Sequence, residues 1–349
     1  MNHSTTISTS LFFSTVDPLY NFYLPVPLPT AVTYLFIICC VFGFFIGSLG
    51  NILVILAIAR NRKLRTSANA FLASLAVADF GTCILVLPIL AVAFVSLESV
   101  ITNLIACRFF YHTTFTFSPV SIQHLILIAA NRFTLINKSP RTYVKCFNKV
   151  TISVVIFLIW TLNISFNTAV AFTSYGTRIF FGKEYCYLSQ KSTIGTFFWV
   201  ITLLYTFVSS FVIIPMFYIF TFRTVHKSRV RVKQEHSVSL VPSVATVSTY
   251  PNSTRSDANT TGNQRQNRRL LSSSEIKLTK VNFFIFMTNV LFLSPLFFAL
   301  LVNGGSLTHG SFVLVLFPIG MNSVTNPLVY CGFNRNFRHA FKTLLKFKV

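Results

Sequence analysis

Acidic residues are almost missing from this chain. Seven Asp and Glu stand against 29 Lys and Arg, and all charged residues together make up only 10% of its 349 positions. A soluble globular surface needs roughly a quarter of its residues charged, so a soluble enzyme and a charge-rich disordered protein are both excluded. Basic residues are absent as well from the first 59 positions, the first being Arg60. With no basic start and no compact apolar core, the amino-terminal thirty residues do not read as a cleavable signal. The sequence contains no His-Glu-x-x-His, no Gly-x-Ser-x-Gly and no phosphate-binding glycine loop, and His112 and His124 stand isolated, so no catalytic or metal-ligating constellation is expected. No internal repeat is visible, which disfavours the alternative of a secondary transporter built from two related halves. What is present is apolar bulk: 53% hydrophobic residues, including 40 Phe.

That bulk falls into runs. A hydrocarbon layer of about 30 Å needs about 20 helical residues, and seven runs reach that length, near 31–59, 68–95, 104–136, 150–172, 193–222, 278–302 and 311–331. The net charge of +22 lies between them. Threading seven spans with the amino terminus outside leaves only Arg108, Arg178, Lys183 and Lys191 on the outer side and 25 of the 29 basic residues on the cytoplasmic side. The basic excess is therefore read as topology, not as a nucleic-acid footprint. The expected architecture is an all-α membrane protein at the plasma membrane. It has an extracellular segment 1–30, a seven-helix bundle over 31–331 and a cytoplasmic end 332–349. In that end Phe337, Phe341, Leu344 and Leu345 recur at helical spacing among Arg and Lys, the pattern of a short amphipathic eighth helix on the inner leaflet.

Between spans five and six, residues 227–274 read as a disordered cytoplasmic loop; 14 of residues 237–274 are Ser or Thr. Asn2 is the one glycosylation triplet expected outside. Of seven cysteines, Cys107 and Cys186 alone face the oxidising side and are expected to pair, the alternative being two free thiols.

Asp79 is the conspicuous polar residue. An ionisable group in hydrocarbon costs roughly 2.5–3.5 kcal/mol, so it must face the bundle interior. Asn51, Ser121, Asn322, Ser323 and Asn326 can share its level. A carboxylate ringed by hydroxyl and amide oxygens suits a hard monovalent cation such as sodium or a water cluster; plain interhelical hydrogen bonding is the alternative. No other cofactor is expected.

Taken in order, Gly50 with Asn51, Leu75 to Asp79, Cys107 lying 25 residues before Arg132, the triplet Asn131, Arg132 and Phe133, then Trp160, Cys186, Pro215, Pro295, and Asn326 with Pro327 and Tyr330 resemble the rhodopsin-like G-protein-coupled receptors. The Asn-Arg-aromatic triplet is also similar to that of melatonin receptors. The resemblance implies a receptor that takes an extracellular ligand and engages a heterotrimeric G protein when the sixth helix swings outward, with receptor kinases and arrestin acting on the Ser/Thr-rich loop. It implies an Arg132–Glu275 clamp at the inner edge, hinges at Pro215, Pro295 and Pro327, and Tyr330 as a moving latch. It also implies an outer ligand pocket formed by Thr113, Thr114, Phe117, Ser118, Phe207, Phe211, Leu293, Leu296, Phe297, Leu300 and Leu316.

Several residues depart from the family pattern. Asn131 replaces an aspartate, Leu293 a tryptophan and Asn289 a phenylalanine, and Arg223 stands where the fifth helix usually offers a tyrosine, with Tyr218 more than a turn away. Thr114 occupies the family's amine-binding position and Gly320 that of the retinal lysine. The expected ligand is therefore neither a biogenic amine nor retinal but an uncharged or lipid-like molecule or an apolar peptide end, and signalling without ligand is a second possibility.

Overall fold

The computed structural model describes residues 29–95, 104–172, 193–239, 273–302 and 309–345. Among the described residues there is no strand. Seven long helices form the bundle. We label them α1 (Thr30–Arg60), α2 (Ser67–Val95), α3 (Leu104–Asn137), α4 (Lys149–Phe172), α5 (Thr193–Val208 continued through a π turn at Ser209–Ile213 into Ile214–Ser239), α6 (Ser273–Val302) and α7 (His309–Phe333). A shorter helix, α8 (Arg335–Leu345), follows. Six of the long helices are apolar enough over a sufficient length to cross a membrane, and the 25-residue α7 packs between α1 and α6.

Polar residues in the connections fix where each helix starts. Asn61 accepts from the Lys63 N–H (3.0 Å), Thr66 caps α2 by accepting from the Asn69 N–H (3.3 Å), and the Asn69 side chain donates to Leu64 O (2.8 Å), so the α1–α2 turn is closed by its own side chains. Ser139 and Pro140 start a short helix, Pro140–Cys146, as capping rules predict. Its end is held to α2 by Ser67 Oγ donating to Phe147 O (3.1 Å). α4 is held through polar contacts. Trp160 Nε1 donates to Ser74 Oγ at 2.9 Å, and Asn163 and Asn167 reach Gln123 Oε1 (2.9 Å) and Phe115 O (3.0 Å) on α3. With lipid on the outside, such directional bonds and close packing hold helices together where no hydrophobic gain is left.

Close packing is most evident at α1 and α7. A Cβ on Gly50 would stand 2.8 and 2.9 Å from the Pro327 ring, and a ring cannot swing aside as a flexible side chain would. Gly50→Ala is therefore expected to cost about 1–3 kcal/mol, read as a lowered melting temperature of the purified protein.

One sequence expectation changes here, and two gain detail. Residues 227–239 are helical, so the expected loop loses its first thirteen residues to α5. Arg223, Lys227 and Arg229 sit in a helix whose start is apolar, and the pattern simply continues past the bilayer edge. Pro295 and Pro327, together with Pro119 and Pro318, lie inside helices that continue past them. Two helices carry π turns, each ending two residues before a proline: Ser209–Ile213 before Pro215, and Thr82–Val86, just after Asp79, before Pro88. Finally, α8 turns its apolar face inward. Phe337 and Phe341 are buried, Phe337 stacks on Tyr330 at 5.3 Å, and only Leu345 at the far end is largely exposed. Cys39, Cys40, Cys83, Cys146 and Cys331 are free thiols. Asn2, Cys186 and the loop from 240 to 272 lie outside the described residues, as do the side chains of Cys107, Leu300 and Leu316.

Candidate functional site: a buried carboxylate and an inner-edge arginine

Asp79 lies wholly inside the bundle, at the centre of α2. Three donors from two other helices converge on it. Ser121 Oγ of α3 (3.1 Å) and Ser323 Oγ of α7 (2.9 Å) donate to Oδ1, and Asn326 Nδ2 of α7 donates to Oδ2 at 2.7 Å. Asn51 stands one step away: its amide donates to Gly47 O (2.9 Å) and Ser323 O (3.1 Å), tying α1 to the backbone of α7. Of the five residues expected around the carboxylate, three touch it, one braces it, and Asn322 faces elsewhere.

Asn322 Nδ2 donates to Asn289 Oδ1 on α6 (3.2 Å), and Asn289 Nδ2 in turn donates to Ser210 Oγ on α5 (3.4 Å). Asn289 stands where the sequence reading noted a missing aromatic ring. The substitution exchanges a ring for a hydrogen-bonded link across three helices. Between this link and Asp79 lies a cavity of about 20 Å³, lined in part by Thr114, Ser118, Ser121, Asn289, Leu293 and Ser323. That is room for a single water. The buried amide oxygens of Asn322 and Asn326 accept no hydrogen bond, so acceptor capacity beside the carboxylate is open to a water or a hard cation. No cluster of three or more His, Cys, Asp or Glu occurs among the described residues. His112 Nε2 lies 2.9 Å from Thr168 Oγ1, and His124 Nδ1 lies 2.7 Å from Val120 O.

The expected ligand pocket is divided. Thr114, Ser118 and Leu293 line the small cavity. Phe117 is not part of it: the ring packs over Gly81, whose Cβ would come within 2.6 Å of Cζ, and meets Trp160 edge-on at 6.1 Å. Phe207, Phe211 and Phe297 form a separate aromatic cluster with centroids 5.1–5.3 Å apart, joining α5 to α6. Thr113 is committed to its own helix, donating to Phe109 O at 2.8 Å. Leu296 packs against Leu203, Ala299 and Ile319.

At the other end of α3, Arg132 is only 4% exposed, and its Nε has no partner. The ionisable groups close enough to act on it are Tyr218, Tyr143 and Glu275. Arg223, at the position where a tyrosine was sought, is exposed, and Tyr218, five residues earlier, is the buried one. Asn131 does not turn toward Arg132. Its amide donates to Tyr143 Oη (3.4 Å), anchoring the short helix after α3. Phe133 packs on Phe217 at 5.5 Å and Phe220 at 6.4 Å, and Thr224 Oγ1 donates to Asn137 Oδ1 (2.5 Å), so α3 and α5 are fastened along this edge. Tyr330 is buried, its hydroxyl unpartnered.

This arrangement, a bundle carrying an inward acid in its middle and a buried arginine at one rim, is matched over residues 50–330 by the family model of the 7 transmembrane receptor (rhodopsin family). The chain belongs to that family. Rhodopsin-family proteins are receptors and not enzymes, which sets aside the transporter alternative and makes this chain a multi-pass membrane protein. Among family members, the octopamine receptor beta-1R of Drosophila melanogaster is 26% identical over 89% of this chain and 62% of its own length. The mouse 5-hydroxytryptamine receptor 2B is 29% identical over 84% of this chain and 67% of its own, and the human 5-hydroxytryptamine receptor 1B is 25% identical over 86% and 83%. This rhodopsin-family chain therefore spans about three fifths of the length of the octopamine receptor it matches.

Proposed function

We propose that the chain carries an extracellular signal to a heterotrimeric G protein, at the plasma membrane with its amino terminus outside, by outward movement of α6. The observation that supports this most is Arg132: a guanidinium buried at the helix rim with an idle Nε is an unspent donor, available to a partner once α6 moves. Glu275, near the start of α6, is within electrostatic reach of it and biases the closed arrangement. Glu275→Ala is expected to raise the basal rate of nucleotide exchange on a G protein supplied with the purified chain, by a few-fold for a partly exposed pair; an unchanged rate removes Glu275 from the switch. Exchange itself tests the whole proposal, since a chain that accelerates it with no G-protein subtype is not this kind of transducer.

The relatives are named for octopamine and 5-hydroxytryptamine, but an amine calls for a carboxylate, and the acids in the described helices are Asp79, Glu235 and Glu275, none in an outer half. Thr114, with its hydroxyl unpartnered, supports an uncharged ligand instead. A sodium ion sharing the Asp79 carboxylate with the idle amide oxygens is part of the same proposal, as is action of receptor kinases and arrestin on the Ser/Thr-rich loop.

A further inference from the structure

An open hollow lies where the end of α1 meets α8. It measures about 380 Å³, within the range of ligand sites, whereas the cavity beside Asp79 holds about 20 Å³. Arg60 and Arg62 line it from one side, His339 and Thr343 from the other, and Ala57 and Ala340 form its floor. The two alanines are buried, while the four polar side chains are exposed. No acid lines the hollow, and among the described residues neither Arg60 nor Arg62 makes an ion pair. Arg65 is already committed: its guanidinium donates to Ala59 O at the end of α1.

Two arginines with forked donors, a ring nitrogen and a hydroxyl around a shallow apolar floor make a receptor for tetrahedral oxyanions. One wall of the hollow is α8, whose buried Phe337 and Phe341 and exposed Arg335, Arg338 and Lys342 make it amphipathic, the kind of helix that lies at the boundary of the hydrocarbon layer. We propose that this hollow binds the phosphorylated headgroup of an anionic inner-leaflet lipid, clamping α8 to α1. The inference rests on membrane placement and not on G-protein coupling. A chain that binds the lipid yet activates no G protein retires only the function proposed above.

The test uses the full chain in detergent micelles, where no charged bilayer surface blurs the reading, with dioctanoyl phosphatidylinositol bisphosphate as probe. Arg60→Gln with Arg62→Gln is expected to weaken its binding about 25-fold, at about fivefold for each basic side chain. Thr343→Trp, which fills the hollow and leaves the charge alone, is expected to weaken it by at least tenfold. Arg141→Gln with Lys145→Gln, exposed basic positions that do not line this hollow, should stay within about twofold. Equal loss in this control pair, full binding by Thr343→Trp, or equally tight binding of dioctanoyl phosphatidylcholine would overturn the site. Inositol trisphosphate binding as tightly as the lipid would overturn the lipid as occupant in favour of a soluble phosphate. Unchanged melting temperatures of the variants exclude unfolding as the cause of any loss.

Discussion

Asp79→Ala is expected to cost about 3–5 kcal/mol and to lower the melting temperature of the purified protein more than any other single change in the bundle. The loss is not that of one side chain. Ser121 Oγ, Ser323 Oγ and Asn326 Nδ2 all point at the vacated carboxylate, and the cavity of about 20 Å³ on this level has room for one water, too few to satisfy three donors. Asp79→Asn is the informative partner. It keeps the shape, removes the charge and can still accept from two of the donors, so its stability should stay within about 1.5 kcal/mol of the parent chain. The same pair tests the cation. If sodium shares the carboxylate, raising its concentration at constant ionic strength stabilises the parent and leaves Asp79→Asn unmoved, because ligand stabilisation requires the site. Equal response of both proteins to sodium and potassium would remove the ion from the account.

For Arg132 the expected signs are opposite in stability and in function. A buried guanidinium with an idle Nε carries part of its desolvation cost uncompensated, so Arg132→Leu should leave the melting temperature unchanged or higher. Nucleotide exchange on a G protein should fall about 10- to 100-fold, the loss of one or two charge-assisted hydrogen bonds to the partner at about 1.5–3 kcal/mol. A variant that melts earlier and couples normally would show that Arg132 is a structural tie and no more.

Much of this architecture is legible in sequence because lipid leaves few options. Every backbone group in hydrocarbon must be paired within its own helix, so long apolar runs announce helices, and an acid inside one of them announces an inward face. Asp79 with Ser121, Ser323 and Asn326 follows from that logic. Asn322 does not, because its partner Asn289 lies 33 positions away in sequence on α6, and only the packing of α6 on α7 brings the amides together. Phe117 was expected in the pocket from its place in the family pattern; the space left by Gly81 is what draws it toward α2 and α4. Tyr218 lies more than a turn from Arg223 along α5, and only the packing of α5 on α3 brings it within reach of Arg132. The π turns at Ser209–Ile213 and Thr82–Val86 each end two residues before a proline, Pro215 and Pro88, but a proline marks only where a helix can be irregular and not which carbonyl a given amide then reaches. The extension of α5 to Ser239 escaped for a simpler reason: a hydropathy count ends where polarity begins, and a helix need not.

The amide link from Ser210 through Asn289 to Asn322 has a consequence for how such a bundle opens. Rings in that position slide over one another at little cost, whereas amides drawn apart must each acquire a replacement partner. Separation of α6 from α5 and α7 is thus coupled to solvent entry, and the opened shape is the wetter one. A molecule that wedged itself there would have to offer polar atoms of its own, or pay for leaving three helices thirsty.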